Sequence, residues 1–350
     1  MLDNDQYKIY DILCNMWGFE NEGKYPYFFM TGSARTGKTF MTRKIVDMLN
    51  NKKIDYLLMV PTGVAAQNIS GKTIHSTLRL KQTDGHYQTL LLDDESSKIA
   101  LSRIKVIIID EISMVSDELF TFLSNMFGSL YKNHKIFGGI PILVIGDLAQ
   151  LSPINGEQVF FSQAWKSFFP LFLTKPKQQK DNLEFYQLLQ EVRFETLSKK
   201  SIRMIEEKTK TSQNLKNILT STHIVGLWET SEQINNFICQ NLPFDDQSSD
   251  PILSQALDTI NDTSQDIQPS FKHHTNLPES VTIQEDARVM YLNNKLIDHG
   301  ICNETIGVIT KTINTDNIEV TFPTNSNIIK LNVQKISTNF NINGTRASRY

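Results

Sequence analysis

The feature that most constrains the fold is a glycine-rich loop set between an apolar segment and an amphipathic one. Tyr27 to Met30 is apolar throughout, and Gly37 to Leu49 carries its apolar residues close to helical spacing. The loop fits the pattern GxxxxGK followed by Ser or Thr, and its residues are Gly32, Ser33, Ala34, Arg35, Thr36, Gly37, Lys38 and Thr39. Backbone N–H groups at a helix N-terminus converge on phosphate in such a loop. We therefore predict a phosphate-binding loop, with a chance Gly-rich turn as the alternative.

The last residues of this loop have roles that the pattern itself predicts. Lys38 is expected to reach the β- and γ-phosphates of a nucleoside triphosphate, and Thr39 is expected to ligate magnesium. ATP and Mg²⁺ are therefore the expected cofactors.

A pair of acidic residues follows a second apolar segment. Val106 to Ile109 predicts a buried strand, and Asp110 and Glu111 come directly after it. The carboxyl ends of parallel strands form the edge where ligands bind in α/β folds. Asp110 is expected to hold magnesium through water, and Glu111 to orient or deprotonate the attacking water. The alternative is that the acids cap the helix that begins near Ser116.

A third apolar segment, Ile142 to Ile145, leads into Asp147 and Gln150. Gln150 is a candidate sensor of the γ-phosphate, because an amide can make or lose a hydrogen bond as that phosphate comes and goes. Pro153 would stiffen the segment that relays the change. An ordinary turn is the alternative interpretation.

Strands and helices alternate along the first part of the chain, which predicts an α/β fold with a parallel sheet over residues 1–170. A second α/β block is expected over 171–244, with a helix over Leu183 to Val192 and a strand over His223 to Trp228. Residues 245–276 are polar and predict a surface insert. Short β-branched segments in 277–350 predict a small antiparallel sheet or barrel.

The composition limits the classes of partner and site. With 350 residues, 40% of them hydrophobic, the chain is long enough for two domains. The net charge of −3 excludes a uniformly cationic surface, so that any nucleic-acid contact must be local. The three cysteines are scattered and predict neither a zinc site nor a disulfide framework. No segment reaches the roughly 18 apolar residues of a membrane span, and no membrane partner is expected.

Six segments in this order resemble the PIF-type (petite integration frequency) DNA helicases, eukaryotic relatives of bacterial RecD in helicase superfamily one. They are Leu2–Gln6, Gly32–Thr39, Pro61–Ala66, Gly71–Ser76, the DEISMV segment from Asp110 and the GDLAQLSP segment from Gly146. Downstream, Val289–Asn294 and Gly300–Gly307 resemble the segment that opens the family's small SH3-like barrel. The resemblance implies a RecA-like P-loop ATPase domain, followed by an incomplete second RecA-like domain that carries the barrel as an insertion.

The resemblance also implies an activity. The family couples ATP hydrolysis to 5′-to-3′ translocation on single-stranded DNA and to duplex unwinding, in repair, recombination and telomere maintenance. Gln6 matches the glutamine that reads adenine, and Thr62, Thr73 and His75 lie in segments that contact the single strand. His75 is equally compatible with a simple helix-surface position. The expected partners are single-stranded DNA and duplex junctions, and a monomer is expected inside the cell, in the nucleus or alternatively the mitochondrion.

Several positions depart from the family pattern. Arg35 and Glu304 replace glycines, and Ser152 replaces a proline. Gln178 precedes Gln179 where the family has Arg-Gln, and that arginine contacts the γ-phosphate. The resemblance also implies further motifs beyond Tyr350, so that the motor looks truncated. A degenerate nucleotide- and DNA-binding module without effective unwinding is therefore one alternative, and an unrelated P-loop ATPase acting on proteins or small molecules is another.

Overall fold

The computed structural model divides the chain into two units, Met1–Ser201 and Ile202–Tyr350. It describes residues 2–16, 27–69, 71–83, 86–175, 183–242, 251–260, 263–264, 277–292, 295–296, 299–303, 305–324, 327–342 and 345–350. Within these ranges no helix combines the length and the apolar character needed to cross a bilayer.

The first unit is built on a six-stranded parallel sheet with the strand order β3-β2-β6-β7-β1-β8. A separate antiparallel hairpin joins β4 to β5. The strands of this unit are β1 (Tyr27–Thr31), β2 (Tyr56–Val60), β3 (Lys72–Thr73), β4 (Leu80–Thr83), β5 (His86–Thr89), β6 (Val106–Ile109), β7 (Ile142–Gly146) and β8 (Phe169–Phe172). The predicted α/β fold with a parallel sheet is confirmed.

Helices cover both faces of this sheet, which explains why its strands are apolar without alternation. The helices are α1 (Asn4–Met16), α2 (Lys38–Asn51), α3 (Gly63–Ile69), α4 (Ile74–Thr77), α5 (Glu95–Ser102), α6 (Asp117–Leu130) and α7 (Leu183–Arg193). Ile108 and Leu143 pack with residues of α1 and α2, whereas their neighbours Ile107 and Val144 pack with residues of α6. Successive side chains of one strand therefore enter two different cores.

Strand β8 belongs to the first sheet. It pairs in parallel with β1, and Leu171 lies opposite Met30. The sequence had led us to begin a second domain at residue 171, and the pairing contradicts that assignment for β8. The pattern of a short apolar segment predicts a strand but not the strand with which it pairs, so that the sequence could not decide which sheet β8 joins.

The second unit contains antiparallel strands only, among the residues that the structure describes. Its helices are α8 (Lys199–Ser212, which begins in the first unit), α9 (Leu215–Thr220) and α10 (Trp228–Gln240). Its strands are β9 (Ile252–Gln255), β10 (Asp258–Ile260), β11 (Thr263–Ser264), β12 (Ser280–Ile283), β13 (Arg288–Tyr291), β14 (Thr305–Asn314), β15 (Asn317–Pro323), β16 (Ile328–Gln334), β17 (Thr338–Ile342) and β18 (Thr345–Arg349).

Strands β13 to β16 form the antiparallel sheet that the short β-branched segments predicted. Its core contains Ile309, Val320 and Phe322. Ala287 and Ile301 pack into the same cluster from the connecting segments.

Two other predictions for this unit were wrong. Residues 223–227 are irregular rather than a strand, and Ile224 is 95% exposed. An apolar run that contains Gly226 looked like a buried strand, but nothing pairs with it among the described residues. Residues 251–260, predicted as part of a polar surface insert, form β9 and β10, which pair with β12 and β18. β12 and β18 lie far away in sequence, although β10 also pairs with the neighbouring β11, and the polar composition revealed none of these pairings.

Candidate nucleotide-binding site

The parallel sheet brings most of the predicted site residues to one edge. Strands β1, β2, β6 and β7 run in the same direction, and each is followed directly by a segment that the sequence singled out. These segments begin at Gly32, Pro61, Asp110 and Asp147. The carboxyl edge of the sheet is therefore the candidate site, as expected for an α/β fold.

The phosphate loop folds tightly on itself. Lys38 Nζ donates hydrogen bonds to the carbonyl oxygens of Gly32 at 2.8 Å and Ser33 at 3.3 Å. Thr36 Oγ1 donates to the Ser33 carbonyl at 2.9 Å. A Cβ atom at Gly32 would lie 2.6 Å from the carbonyl oxygen of Leu173 and 2.5 Å from Thr36 Oγ1. Only glycine fits there without a shift of the loop. Phosphate binding by the loop stays a prediction.

Two loop residues adopt the left-handed backbone conformation. Gly37, which precedes α2, has φ 95°, and Arg35 has φ 65°. The left-handed region costs a non-glycine residue on the order of 1 kcal/mol. The conformation at Arg35 explains why the family has glycine at this position. The Arg35 side chain is exposed.

Lys38 lies in a strongly charged environment. Burial lowers the pKa of its ammonium group, and the positive charge of Arg193 acts in the same direction. The carboxylates of Asp147, Glu111 and Asp110 oppose this change and favour the charged form. A partly desolvated cation surrounded by carboxylates can bind phosphate together with a divalent cation.

Asp110 is a buried carboxyl group, 4% exposed, at the end of β6. Its Oδ1 accepts a hydrogen bond from the Glu111 N–H at 2.8 Å, and its Oδ2 accepts one from Thr42 Oγ1 at 3.5 Å. Burial raises the pKa of Asp110 to about 6, while the Glu111 N–H bond partly offsets that increase. Thr42 lies one turn after Lys38, so the same face of α2 supports both the lysine and the carboxylate.

Glu111 turns the chain sharply after the strand. Its backbone is left-handed, with φ 54° and ψ 45°, and a short 3₁₀ turn over Ile112–Met114 follows. A Cβ atom at Gly146 would lie 3.0 Å from the Ile112 backbone nitrogen, so the glycine at the end of β7 leaves room for this turn. Ser116 caps α6 through an Oγ bond from the Leu119 N–H at 3.1 Å. The acid pair is therefore not the cap of that helix.

Asp147 is 1% exposed and pairs with Arg193, the last residue of α7. Arg193 Nη2 donates to Asp147 Oδ1 at 2.6 Å, and Nη1 donates to Oδ2. Burial by itself would raise the pKa of Asp147, but the Arg193 bonds, the Ala149 N–H and the nearby charges together lower it. Sequence reasoning missed this pair, because 46 residues separate its members and no local pattern connects them.

Gln150 lies in the turn that Asp147 begins. Its backbone N–H donates to the Asp147 carbonyl at 2.9 Å, and its side chain is exposed at this edge. The turn that the sequence offered as the alternative interpretation is therefore present. It exposes the Gln150 amide to solvent after β7, the strand that pairs with β1. A sensor role for Gln150 stays a prediction.

Gln6 is 2% exposed at the start of α1 and forms a capping box with Asp3. Asp3 Oδ1 accepts from the backbone N–H groups of Asp5 at 2.8 Å and Gln6 at 2.9 Å, and Gln6 Oε1 accepts from the Asp3 N–H at 3.2 Å. Asp5 also bonds with Thr174, just after β8. These contacts hold the N-terminal end of α1 near the carboxyl ends of the strands. The role of Gln6 in reading adenine stays a prediction.

The three residues predicted to contact nucleic acid lie at the β3 end of the sheet, where the helices α3 and α4 begin. Thr62 Oγ1 accepts from the Ala65 N–H at 3.3 Å, and Thr73 Oγ1 caps α4 by accepting from the Ser76 N–H at 3.2 Å. His75 is exposed on α4, with its ring centroid 6.3 Å from that of Tyr87. Partial desolvation lowers the pKa of His75. The caps are sufficient to explain both threonines structurally, and their nucleic-acid contacts stay predictions.

The donor set fits magnesium bound together with a nucleotide. Within the described ranges, no group of three or more His, Cys, Asp or Glu residues could hold a metal ion alone. Magnesium usually takes one or two protein ligands and completes its shell with phosphate oxygens and water. Thr39 and the buried Asp110 suit that arrangement. Gln178, which stands where the family has arginine, lies outside the described residues.

Known proteins with similar sequences and folds are DNA helicases. The profile of the PIF1-like helicase family matches residues 1–213. The ATP-dependent DNA helicase PIF1 of Emericella nidulans is 28% identical over 296 residues, which cover 80% of this chain and 38% of that protein. The human ATP-dependent DNA helicase PIF1 is 28% identical over 295 residues, which cover 80% of this chain and 43% of that protein.

Solved structures share the fold. The Pif1 helicase from Candida albicans has a TM-score of 0.71 at 22% identity, and the match covers 100% of this chain and 83% of that one. Bacteroides Pif1 bound to ssDNA has a TM-score of 0.68 at 20% identity, and the match covers 100% of this chain and 80% of that one. The chain spans about two fifths of the length of the two sequence relatives named above. With a family profile that matches more than half of its residues and the phosphate loop and acid pair at one sheet edge, this chain belongs to the PIF1-like helicase family.

Proposed function

We propose that this chain is the ATP-hydrolysing part of a DNA helicase, which uses Mg²⁺-ATP to move 5′ to 3′ along single-stranded DNA and to unwind duplexes. The observation that carries the proposal is the phosphate loop, in which Lys38 donates to the Gly32 and Ser33 carbonyls, at the same sheet edge as the buried carboxyl groups of Asp110 and Asp147. This arrangement suits the charge of a magnesium-bound triphosphate. Repair, recombination and telomere maintenance are the processes in which we expect the activity to be used.

Each residue of the site has a defined task in this proposal. Lys38 exchanges its bonds with the loop carbonyls for bonds with the β- and γ-phosphates. Thr39 and Asp110 hold magnesium, which neutralises phosphate charge when bound. Glu111, which lies in the left-handed turn directly after β6, would orient the attacking water. The other contacts of the proposed site are the sensor Gln150, the adenine-reading Gln6 and the loop residues Gly32, Ser33, Ala34, Arg35, Thr36 and Gly37.

The residues proposed to contact DNA lie at the β3 end of the same sheet edge. Thr62 and Thr73 follow β2 and end β3, and exposed His75 comes two residues later. Hydroxyl groups can bond backbone phosphates, and an imidazole can stack on a base. The similar proteins are named as DNA helicases, and one similar structure contains ssDNA. Movements of the loops that bind the nucleotide would be transmitted to a single strand of DNA bound along this edge.

The decisive experiment is steady-state ATP hydrolysis with and without single-stranded DNA. We expect DNA to stimulate the wild-type chain and Lys38→Ala to reduce turnover at least a hundredfold, since removal of one phosphate-stabilising group typically costs that much. Arg103→Gln, at an exposed position on the C-cap of α5, is the matched control and should leave the rate unchanged.

Two results would contradict the proposal. Nucleotide and DNA binding without hydrolysis would identify a binding module, which is the outcome that Gln178 in place of arginine favours. Hydrolysis that is indifferent to DNA would indicate an ATPase with a different substrate.

Direction and DNA contacts need a second assay. We expect unwinding of duplexes with a 5′ single-stranded tail and not of duplexes with a 3′ tail. His75→Ala should weaken single-strand affinity measured by fluorescence anisotropy, whereas Thr73→Ser, which keeps the capping hydroxyl, should not. Equal unwinding of both substrates would contradict the proposed polarity.

Assembly and location complete the proposal. We infer a monomer, although one similar structure concerns two coordinating Pif1 helicases at forked dsDNA. Light scattering with and without forked DNA would distinguish a monomer from a DNA-induced pair. We infer action inside the cell, in the nucleus with the mitochondrion as the alternative, which imaging of the tagged chain would test.

A further inference from the structure

Arg193 connects α7 to the nucleotide edge. Its two terminal nitrogens donate to the two oxygens of Asp147, one at 2.6 Å, in the paired geometry that is specific to guanidinium groups. The Asp147 side chain is 1% exposed and the Arg193 side chain 24% exposed. The pair is therefore largely removed from solvent, where loss of one partner would leave a buried charge.

Hydrogen bonds hold the C-terminal end of α7, which carries Arg193. Glu191 accepts from Gln187 Nε2 at 3.0 Å and from the Ser198 N–H at 2.9 Å. Glu195, two residues after α7, has a left-handed backbone with φ 54°. The guanidinium of Arg193 also lies 5.8 Å from the Phe194 ring centroid. Its position thus follows from the fold of the α7 end as well as from Asp147.

The same carboxylate organises the turn that carries Gln150. Asp147 Oδ1 accepts from the Ala149 N–H at 3.2 Å as well as from Arg193. The Asp147 carbonyl accepts from the Gln150 N–H at 2.9 Å. A rotation of the Asp147 side chain would therefore disturb the turn in which Gln150 is presented.

Charge gives Arg193 a second effect. Lys38 on α2 and Arg193 on α7 both act on Asp147, while Asp110 and Glu111 act on Lys38 from the end of β6. Tyr186, also on α7, acts electrostatically on Arg193. Without Arg193, Lys38 would be the remaining cation that acts on the buried Asp147, and that carboxylate would compete with phosphate for Lys38.

We propose that Arg193 is a positioning residue of the nucleotide site, which acts through Asp147 to hold the Gln150 turn and to leave Lys38 available to phosphate. The inference rests on the proposed ATPase function and names a residue outside the phosphate loop and the acid pair. It predicts effects on turnover and on recognition of the terminal phosphate, beyond any effect on folding.

The test compares Arg193→Gln, Arg193→Lys, Asp147→Asn and the double variant Arg193→Gln/Asp147→Asn with wild type. The readouts are kcat, KM for ATP, and the separate affinities for ADP and for the non-hydrolysable analogue AMP-PNP. Arg193→Gln should lower kcat roughly tenfold to a hundredfold, as expected when a reacting group is displaced by up to about 1 Å. It should also reduce the preference for AMP-PNP over ADP.

The other variants separate positioning from folding. Arg193→Lys keeps the charge but lacks the fork and should restore part of the loss. The double variant should be less impaired than Arg193→Gln, because it removes the buried carboxylate that competes for Lys38. Arg103→Gln is again the matched control, with no change expected.

Several outcomes would overturn the inference. It fails if a folded Arg193→Gln keeps wild-type kcat and wild-type preference for AMP-PNP. If Arg193→Gln does not fold, a folded double variant with wild-type kcat and preference would show a purely structural pair and would equally overturn it. A wild-type chain that binds both nucleotides without hydrolysis would contradict the proposed function, while the AMP-PNP preference of the variants would still decide the role of Arg193.

Discussion

The parallel sheet of the first unit and the antiparallel sheet of β13 to β16 use polar residues in opposite ways. Every residue of β6 and β7 is buried, whereas exposed positions recur along β14 and β16. In the central strands β6 and β7 of the parallel sheet, polar side chains are excluded and follow directly after the strands. In the antiparallel sheet, they spread along a solvated face. The comparison shows why the candidate nucleotide-binding residues concentrate at one edge of one sheet.

The two sheets also differ in what they demand of their residues. The carboxyl edge places Asp110 and Asp147 at buried positions, where each carboxylate requires specific partners. The antiparallel sheet has a small core around Phe322 and Val320, and its stability depends on the shape of that core. Substitutions at the edge should therefore affect nucleotide chemistry, and substitutions in the antiparallel core should affect stability alone.

The largest effect is expected at Gly32. Gly32→Ala would place a methyl group 2.6 Å from the Leu173 carbonyl oxygen, and the loop must shift to relieve the clash. We expect nucleotide binding, measured by isothermal titration calorimetry with ADP, to be lost. Gly128→Ala is the control, since its nearest neighbour is the Asn133 carbonyl oxygen at 3.3 Å. Full affinity in Gly32→Ala would show that the loop tolerates a side chain at this position.

The next effect is a dependence of stability on pH that originates at Asp110. Its folded-state pKa is raised from 3.8 to about 6, so that the folded protein binds a proton between these pH values that the unfolded chain has released. Stability in metal-free buffer should therefore fall as pH rises from about 4 to about 6, by up to about 3 kcal/mol.

Asp110→Asn tests this assignment. The variant should lose that part of the pH dependence and should be more stable than wild type at pH 7.5 without magnesium, because the amide carries no charge. Urea unfolding at pH 4.5 and pH 7.5 measures both quantities. An unchanged pH profile in Asp110→Asn would assign the effect to other groups. The same variant should lose ATP turnover.

A smaller effect is expected in the antiparallel core. A Cβ atom at Gly307 would lie 2.7 Å from two ring atoms of Phe322 and 2.9 Å from Val320 Cγ1. Gly307→Ala should lower the free energy of unfolding by about 1–3 kcal/mol, as overpacking usually does. Gly226→Ala, with nothing within 4 Å of its Cβ position, is the control and should be nearly neutral. Weaker ADP binding in Gly307→Ala would show that the antiparallel core affects nucleotide binding as well as stability.

The smallest effect is expected at a helix cap beside the nucleotide edge. Thr73→Ala removes the oxygen that accepts from the Ser76 N–H, and it should cost about 1 kcal/mol. Thr73→Ser keeps the bond and should be close to wild type in urea unfolding. If both variants were equally stable, the cap would contribute nothing measurable.

Sequence reasoning succeeded where the information is local. The phosphate loop, the buried strands and the acids that follow them depend on neighbouring residues, and the parallel sheet follows from their alternation with helices. The antiparallel sheet was predictable for the same reason. Residues 223–227 and 251–260 were mispredicted. Apolar character alone did not make the first segment a strand, and the polar composition of the second concealed strands that pair with β11, β12 and β18.

By itself, the sequence predicted the fold class and the family of this protein, and it supplied the set of residues that we propose to bind phosphate and magnesium. Those properties are contained in short patterns whose geometry follows from one strand, one loop and one helix. Only the tertiary structure decided that Arg193 meets Asp147, that β8 completes the first sheet and that Ser116, rather than the acid pair, caps α6. The first two depend on packing between segments that the chain order separates, which neither propensity nor periodicity encodes. The Ser116 cap is a local bond to Leu119, and the structure decided it against an alternative that the sequence had left open.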